Sequence, residues 1–178
     1  MRFTEQQIEG VYLIEPEPYK DERGMLRRHF CQNEFVDFGL MTEIKQTNIS
    51  ENKKMHTLRG FHFQYPPYGE NKVISCVKGS IYDIVVDLKK ESKTFMKWQS
   101  FELTEENRLS IYVPQGCANA YLTLQDNTWI LYYHSEFYAP GGEGGICYND
   151  PLFNFEWPCK KPAHLSEKDA SWPNYIPE

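Results

Sequence analysis

The chain has 178 residues, about 40% of them hydrophobic and 25% charged, enough for one well-packed domain and unlike a disordered tail. A net charge of −6 excludes general nucleic-acid or anionic-membrane binding, which needs a basic field. No apolar run approaches a membrane span, and the first residues lack the apolar stretch of a signal peptide, so a cytoplasmic protein is expected.

In chain order, short apolar and aromatic runs recur at Val11–Ile14, Thr57–Phe63, Val73–Val77, Ile81–Leu88, Trp98–Leu103, Ile111–Val113, Ala120–Leu124 and Trp129–Tyr133. Turn signals separate them: Asp21-Glu22-Arg23-Gly24, Pro66-Pro67-Tyr68-Gly69, Lys78-Gly79-Ser80 and Pro114-Gln115-Gly116. Gly79-Ser80 suits a two-residue turn and predicts a β-hairpin over Lys72–Leu88. One short helix is expected, capped by Asn33, with Phe35 and Phe38 on one face and Gly39 ending it. A second helical turn is placed at Thr104–Asn107 with Thr104 as cap. From Pro158 the chain reads as a surface arm that packs through Trp172 and Tyr175.

Many strands and almost no helix imply an all-β fold: an antiparallel β-sandwich or barrel, best read as a jelly roll, one domain over 1–178 with its core at about 10–158 and its arm at 159–178. Five cysteines (Cys31, Cys76, Cys117, Cys147, Cys159), odd in number and widely spaced without a CxxC pair, read as reduced thiols used for packing.

The most unusual segment is His56-Thr57-Leu58-Arg59-Gly60-Phe61-His62-Phe63-Gln64. Strand alternation puts His56, Leu58, Gly60, His62 and Gln64 on one face and Arg59, Phe61 and Phe63 on the other. Gly60 would leave space beside His62, and Gln64 would add a polar group there. A metal-binding cupin would carry imidazoles where this chain has Gln64 and Asn119, the latter in Pro114-Gln115-Gly116-Cys117-Ala118-Asn119. Neutral amides are poor substitutes for them, so no metal and no cofactor are expected. Carbon chemistry without a metal needs a base, an acid and an anchor for a developing oxyanion. His62 suits the base, Tyr132 and Tyr138 are candidate proton donors, and Lys72 is a candidate cation whose plain alternative is an exposed edge lysine.

Taken together, these segments resemble the nucleotide-sugar 3,5-epimerase family, from about Gly10 to Asp169. The resemblance runs through Asp21-Glu22-Arg23-Gly24, Gln46-Thr47-Asn48, Leu58 to Gln64, Lys72-Val73, Asp87-Leu88, Ser92-Lys93-Thr94-Phe95, Tyr112-Val113-Pro114, Tyr138-Ala139-Pro140, Asn149-Asp150-Pro151 and Glu156-Trp157-Pro158. It implies a cupin-like jelly roll acting as a homodimeric, metal-independent isomerase that inverts C3, C5 or both in a nucleotide-linked 4-keto-6-deoxy hexose or related keto-heptose, for surface-polysaccharide synthesis. His62 matches the base, Asp169 the carboxylate that orients it, Lys72 the cation beside the C4 oxygen and Tyr132 the acid on the opposite face. Arg23, Gln46, Asn48 and Arg59 match nucleotide and diphosphate contacts, and Glu143 and Lys168 further substrate contacts; Tyr138 is a further candidate substrate-binding residue.

Three positions depart from the family pattern. Arg28 stands where a Glu helps hold the nucleotide, Asn119 where a His contacts the sugar, and Gly144 where an Arg is usual. Such exchanges bear on specificity, since a site that hydrogen-bonds its substrate discriminates strongly when a partner changes. They leave open a C3-only or C5-only epimerase on a GDP- or CDP-linked sugar, or a non-catalytic sugar-nucleotide binder. Arg23, Arg28, Arg59 and Lys72 are expected to gather into one basic pocket within the acidic chain.

Overall fold

The computed structural model describes residues 1–177. Its elements are β1 (Arg2–Glu5), β2 (Tyr12–Glu15), β3 (Tyr19–Asp21), β4 (Gly24–Leu26), α1 (Gln32–Val36), β5 (Gln46–Asn52), β6 (Leu58–Gln64), β7 (Lys72–Lys78), β8 (Ser80–Asp87), β9 (Trp98–Thr104), β10 (Ser110–Val113), β11 (Cys117–Thr123), β12 (Thr128–His134), β13 (Glu143–Gly145) and α2 (Glu167–Ala170). Two antiparallel sheets face each other, ordered β1-β2-β10-β7-β12-β5 and β13-β6-β11-β8-β9, with β3-β4 as a separate hairpin. This is the expected all-β, jelly-roll architecture.

Three apolar layers explain why so many strands read as nearly continuous hydrophobic runs. Ile74, Cys76, Ile81, Val85, Leu103, Ile111, Tyr121 and Ile130 pack between the sheets. Phe3, Ile14, Phe35, Val73 and Tyr112 cover the outside of the first sheet. Phe61, Ile84, Val86, Ala118, Ala120, Ile146 and Phe153 cover the outside of the second, beneath Phe155, Trp157 and Tyr175 from the C-terminal segment. Every residue of β11 is therefore buried, as expected of a strand covered on both faces.

Several local expectations are corrected. β7 and β8 do not form a hairpin: β7 pairs with β10 and β12, whereas β8 pairs with β11 and β9. Gly79, at φ +76°, instead turns the chain from one sheet into the other, in a corner where a Cβ would lie 2.4 Å from Thr128 Oγ1. Asn33 lies inside α1 and is not its cap; Cys31 holds that position without a side-chain bond. Phe35 is buried, Phe38 is exposed but stacked on Phe3, and Gly39 ends the segment at φ +68°. Thr104 does accept from the Asn107 amide, yet the segment is a turn without a helix.

β6 carries the most consequential correction. Its register against β11 slips between Asn119↔His62 and Tyr121↔Arg59, the signature of a bulge that places an extra residue on one strand. Directly opposed residues share a face, and Asn119 and Tyr121 lie on the same face of β11. His62 and Arg59 therefore both face the interior, contrary to simple alternation, while Leu58 opposes Leu122 on the other side. Gly60 leaves no space for a ligand. A Cβ there would sit 2.6 Å from both Ala120 Cβ and Asn119 O, so glycine permits the close approach of β11.

Candidate active site

The interior is apolar toward β9 and β10 and polar toward β5 and β6. β6 contributes His62 and Arg59, β11 Asn119, β7 Lys72, β12 Tyr132 and His134, and β5 Gln46 and Asn48, which oppose His134 and Tyr132. β5 reads poorly as a strand because its interior face is polar and much of its other face is exposed.

His62 Nε2 lies 2.6 Å from Asp169 Oδ1, across 107 residues of sequence. Asp169 is held in α2, whose cap Ser166 accepts the Asp169 amide at 3.0 Å. Burial alone would raise the Asp169 carboxyl, but the bond and charge of His62, with Ser166 and Gly60, hold it below the usual carboxylate value. An ionised partner on one ring nitrogen favours the tautomer whose other nitrogen keeps a free lone pair, as a base requires. Trp172 meets the His62 ring edge-on at 6.3 Å and packs over Gly145, where a Cβ would be 2.2 Å from the indole. The C-terminal segment thus closes one side of the site and is more than a surface arm.

Lys72 is buried, so the exposed-edge alternative falls. Its Nζ lies 3.3 Å from the His62 carbonyl, 3.3 Å from Asn119 Oδ1 and 3.3 Å from Glu70 Oε1. These are long contacts, which an incoming oxygen could shorten or replace. Asn119 donates its amide to Asp83 Oδ2 at 3.2 Å. Asp83 is fully buried, and its other oxygen finds no hydrogen-bond partner among the described residues. Burial pushes its carboxyl well above the usual range. Tyr132 is half-buried on the facing sheet with its ring stacked on His134, centroids 5.7 Å apart. Burial, then the neighbouring Tyr121, push its phenol well above 10.

At the mouth, Tyr138 Oη donates to Glu143 Oε2 at 3.2 Å and Lys168 pairs with Glu143. The Lys168 ammonium lies over the rings of Tyr138 and Trp172 at 6.0 and 5.8 Å. Gln46 Oε1 accepts the Tyr138 amide at 3.2 Å. Gly144 gives its space to the rings of Phe63 and Tyr65, the nearest atom 2.5 Å from where its Cβ would stand.

Two expectations fail here. Gln64 adds no polar group beside His62: its amide clamps two loops, donating to the Tyr68 and Phe137 carbonyls and accepting from the Ala139 amide. Nor do the four cations gather within one chain. Arg23 projects from the exposed β3–β4 hairpin and pairs with Asp21, and Arg28 pairs with Glu34 in a groove shared with Met1, Glu17 and Tyr19.

Sequence reasoning missed Asp83, Tyr121, Trp172 and the Glu70–His134 pair, whose Oε2 and Nδ1 are 2.7 Å apart beside Lys72. Asp83 had a partial signal: a carboxyl on the buried face of Ile81-Tyr82-Asp83-Ile84-Val85 needs either structural partners or a use. Glu70 and His134 had none, since they meet only when β7 pairs with β12.

An interior carrying an oriented imidazole, a buried ammonium and a phenol on facing walls has the groups that acid–base chemistry at a carbon–hydrogen bond requires. Comparison with known proteins narrows the class. Residues 5–176 match the family model for dTDP-4-dehydrorhamnose 3,5-epimerase, and the chain belongs to that family of sugar-nucleotide epimerases. It is 35% identical to the dTDP-4-dehydrorhamnose 3,5-epimerase of Shigella flexneri over 177 residues, 99% of this chain and 97% of that protein. The crystal structure of the Elizabethkingia anophelis dTDP-4-dehydrorhamnose 3,5-epimerase superposes with a TM-score of 0.94 at 33% identity, covering 98% of this chain and 96% of that one. A 3'-monoepimerase from Streptomyces bikiniensis in complex with dTDP-quinovose superposes at 0.88 and 31% identity, covering 95% and 85%.

Proposed function

We propose that the chain epimerises a nucleoside-diphosphate-linked 4-keto-6-deoxy sugar through an enolate, with His62 as base, Lys72 as oxyanion anchor and Tyr132 as acid. The observation that carries this is the placement of His62 and Tyr132 on opposite walls of one interior, with the Lys72 ammonium reaching across between them. Inversion needs removal of a proton on one face and delivery on the other, hence two groups on two walls. Asp169 stabilises the His62 imidazolium once it forms. The proton alpha to a ketone is weakly acidic, so the enolate oxygen must meet a fixed positive charge.

Gln46, Asn48 and Arg59 line the same interior and suit the sugar and diphosphate, with Asn119 beside Lys72. Tyr138, Glu143 and Lys168 supply a ring and charges at its mouth. Relatives include an enzyme named for two centres and one named for a single centre, so the number inverted is a property to be measured. The exposed Tyr19, Met25 and Leu26 of the β3–β4 hairpin support a homodimer in which Arg23 reaches the neighbouring subunit's nucleotide. On that reading Arg23→Ala raises KM and leaves kcat nearly unchanged.

The decisive experiment is incubation with dTDP-, CDP- and GDP-linked 4-keto-6-deoxy sugars in D₂O. Deuterium at C3, C5 or both is expected for one nucleotide, undiminished by a chelator. His62→Ala keeps the fold by circular dichroism and lowers exchange by about 10²–10⁴-fold. Wild-type-like exchange in that variant would remove His62 from the mechanism, and tight binding without exchange by the wild type would make the chain a binder.

A further inference from the structure

Lys72 keeps its ammonium in the interior beside a carboxylate that no step of the reaction uses. Among the described residues Glu70 is the one carboxylate within ion-pair distance, its Oε1 lying 3.3 Å from Lys72 Nζ. Its Oε2 accepts from His134 Nδ1 at 2.7 Å. The side chains of Glu70 and Lys72 are each 9% exposed, and that of His134 13%. His134 opposes Lys72 across β7 and β12 and so shares its interior face. The loop that carries Glu70 is tied to the end of β12. The Asn71 amide donates to Ser135 Oγ at 2.8 Å, and the Ser135 amide to the Asn71 carbonyl at 3.0 Å.

A buried ammonium stays charged only beside a counter-charge. The other groups around Lys72 do not supply one. Asp83 of β8 meets it through Asn119, and burial pushes that carboxyl well above the usual range, toward its neutral form. Glu136, beyond β12, is paired with Lys45 at 2.7 Å. Tyr132 of β12 is a phenol held well above its ordinary value, and Arg59 of β6 is a second cation, turned to Asn52 at 2.9 Å. Burial alone would raise the Glu70 carboxyl, but His134 and Lys72 outweigh it and hold it below the usual carboxylate value. Its two bonds are unequal. The short one to His134 fixes the carboxylate, and the long one leaves Lys72 able to turn an N–H to a substrate oxygen.

We infer that Glu70, fixed by His134, is a positioning residue that aims the Lys72 ammonium at the enolate oxygen and keeps it charged there. The inference rests on the reading of Lys72 as the oxyanion anchor. Glu70 acts through that ammonium and moves no proton itself. Its loss therefore falls on formation of the enolate, seen in kcat, more than on substrate binding, seen in KM.

The test measures kcat, KM and deuterium uptake in D₂O, using whichever of the dTDP-, CDP- and GDP-linked 4-keto-6-deoxy sugars wild type turns over best. Glu70→Gln is expected to lower kcat about tenfold or more with KM within about twofold. The alkaline limb of its kcat profile moves down by about one unit, because an ammonium without its counter-charge gives up its proton more readily. His134→Phe keeps a ring beside Tyr132 but no donor for Glu70, and repeats the loss in kcat. His134→Asn, whose Nδ2 takes the place of the imidazole Nδ1, restores kcat to within about threefold of wild type. In a Lys72→Met background Glu70→Gln costs nothing further. Circular dichroism follows each variant, and if Glu70→Gln does not fold, the two His134 variants decide. The inference is overturned if Glu70→Gln keeps the wild-type kcat, raises KM alone, or leaves the alkaline limb in place. It is also overturned if His134→Phe is fast while His134→Asn is slow, or if the loss recurs undiminished without Lys72. Wild-type-like exchange by Lys72→Met removes the anchor itself, and no turnover by wild type removes the epimerase reading, each a separate result that takes this inference with it.

Discussion

Asp83 and Asp87 stand four residues apart on the interior face of β8, and both are fully buried. Asp87 accepts from Ser92 Oγ, Thr94 Oγ1 and the Lys89 amide, and its Oδ1 lies 2.9 Å from Lys89 Nζ. Burial raises its carboxyl, but these partners outweigh that and hold it below the usual value. Asp83 has one amide partner and an orphaned oxygen, and burial wins. A buried charge surrounded by donors is a staple for the loop after β8. One left under-satisfied beside Lys72 marks the part of the interior arranged for chemistry, at a cost in stability.

The comparison breaks most visibly at Asp87. Asp87→Ala strands two hydroxyls and an amide and removes the partner of a half-buried lysine, for a loss of about 3 kcal/mol in urea unfolding. The Asp87 carboxyl, lowered in the folded state, contributes stability that is present above the ordinary carboxylate value and lost as pH falls through its folded value. Asp83 has the opposite sign. Its folded pKa is raised, so the native state holds the extra proton and stability declines as pH rises above about 4. Asp83→Asn is therefore expected to stabilise by roughly 1–2 kcal/mol at neutral pH and by little near pH 4, as thermal melts across pH would register. Equal gains at both pH values would mean that Asp83 is ionised in the fold. The smallest effect is expected at Ser92→Ala, about 1 kcal/mol for one of several bonds to Asp87, with exchange activity unchanged.

Much of the site was legible before folding because its residue types are chemically out of place. A histidine and glycine within an aromatic strand, and a lysine opening an apolar one, stand out in a linear reading. The family motifs then supplied Asp169, which no spacing argument could reach across 107 residues. What stayed illegible depends on pairing. Tyr121 reads as another core aromatic until Ser50 and Asn52 meet its hydroxyl. The hairpin expected over Lys72–Leu88 failed because strands buried on both faces look alike whether they pair with each other or part into two sheets.

Composition and apolar patterning determined an acidic β protein rich in aromatic residues, and most of those aromatics lie in three apolar layers. Hydrophobic patterning is local, so sequence could fix which segments become strands. Only the tertiary structure decided which polar groups meet. The bulge in β6 turned Arg59 inward beside His62, and α2 brought Asp169 to the imidazole. It also separated Arg23 and Arg28 from the interior cations. Contacts of that kind are set by register and by the packing of distant segments, which no local pattern encodes.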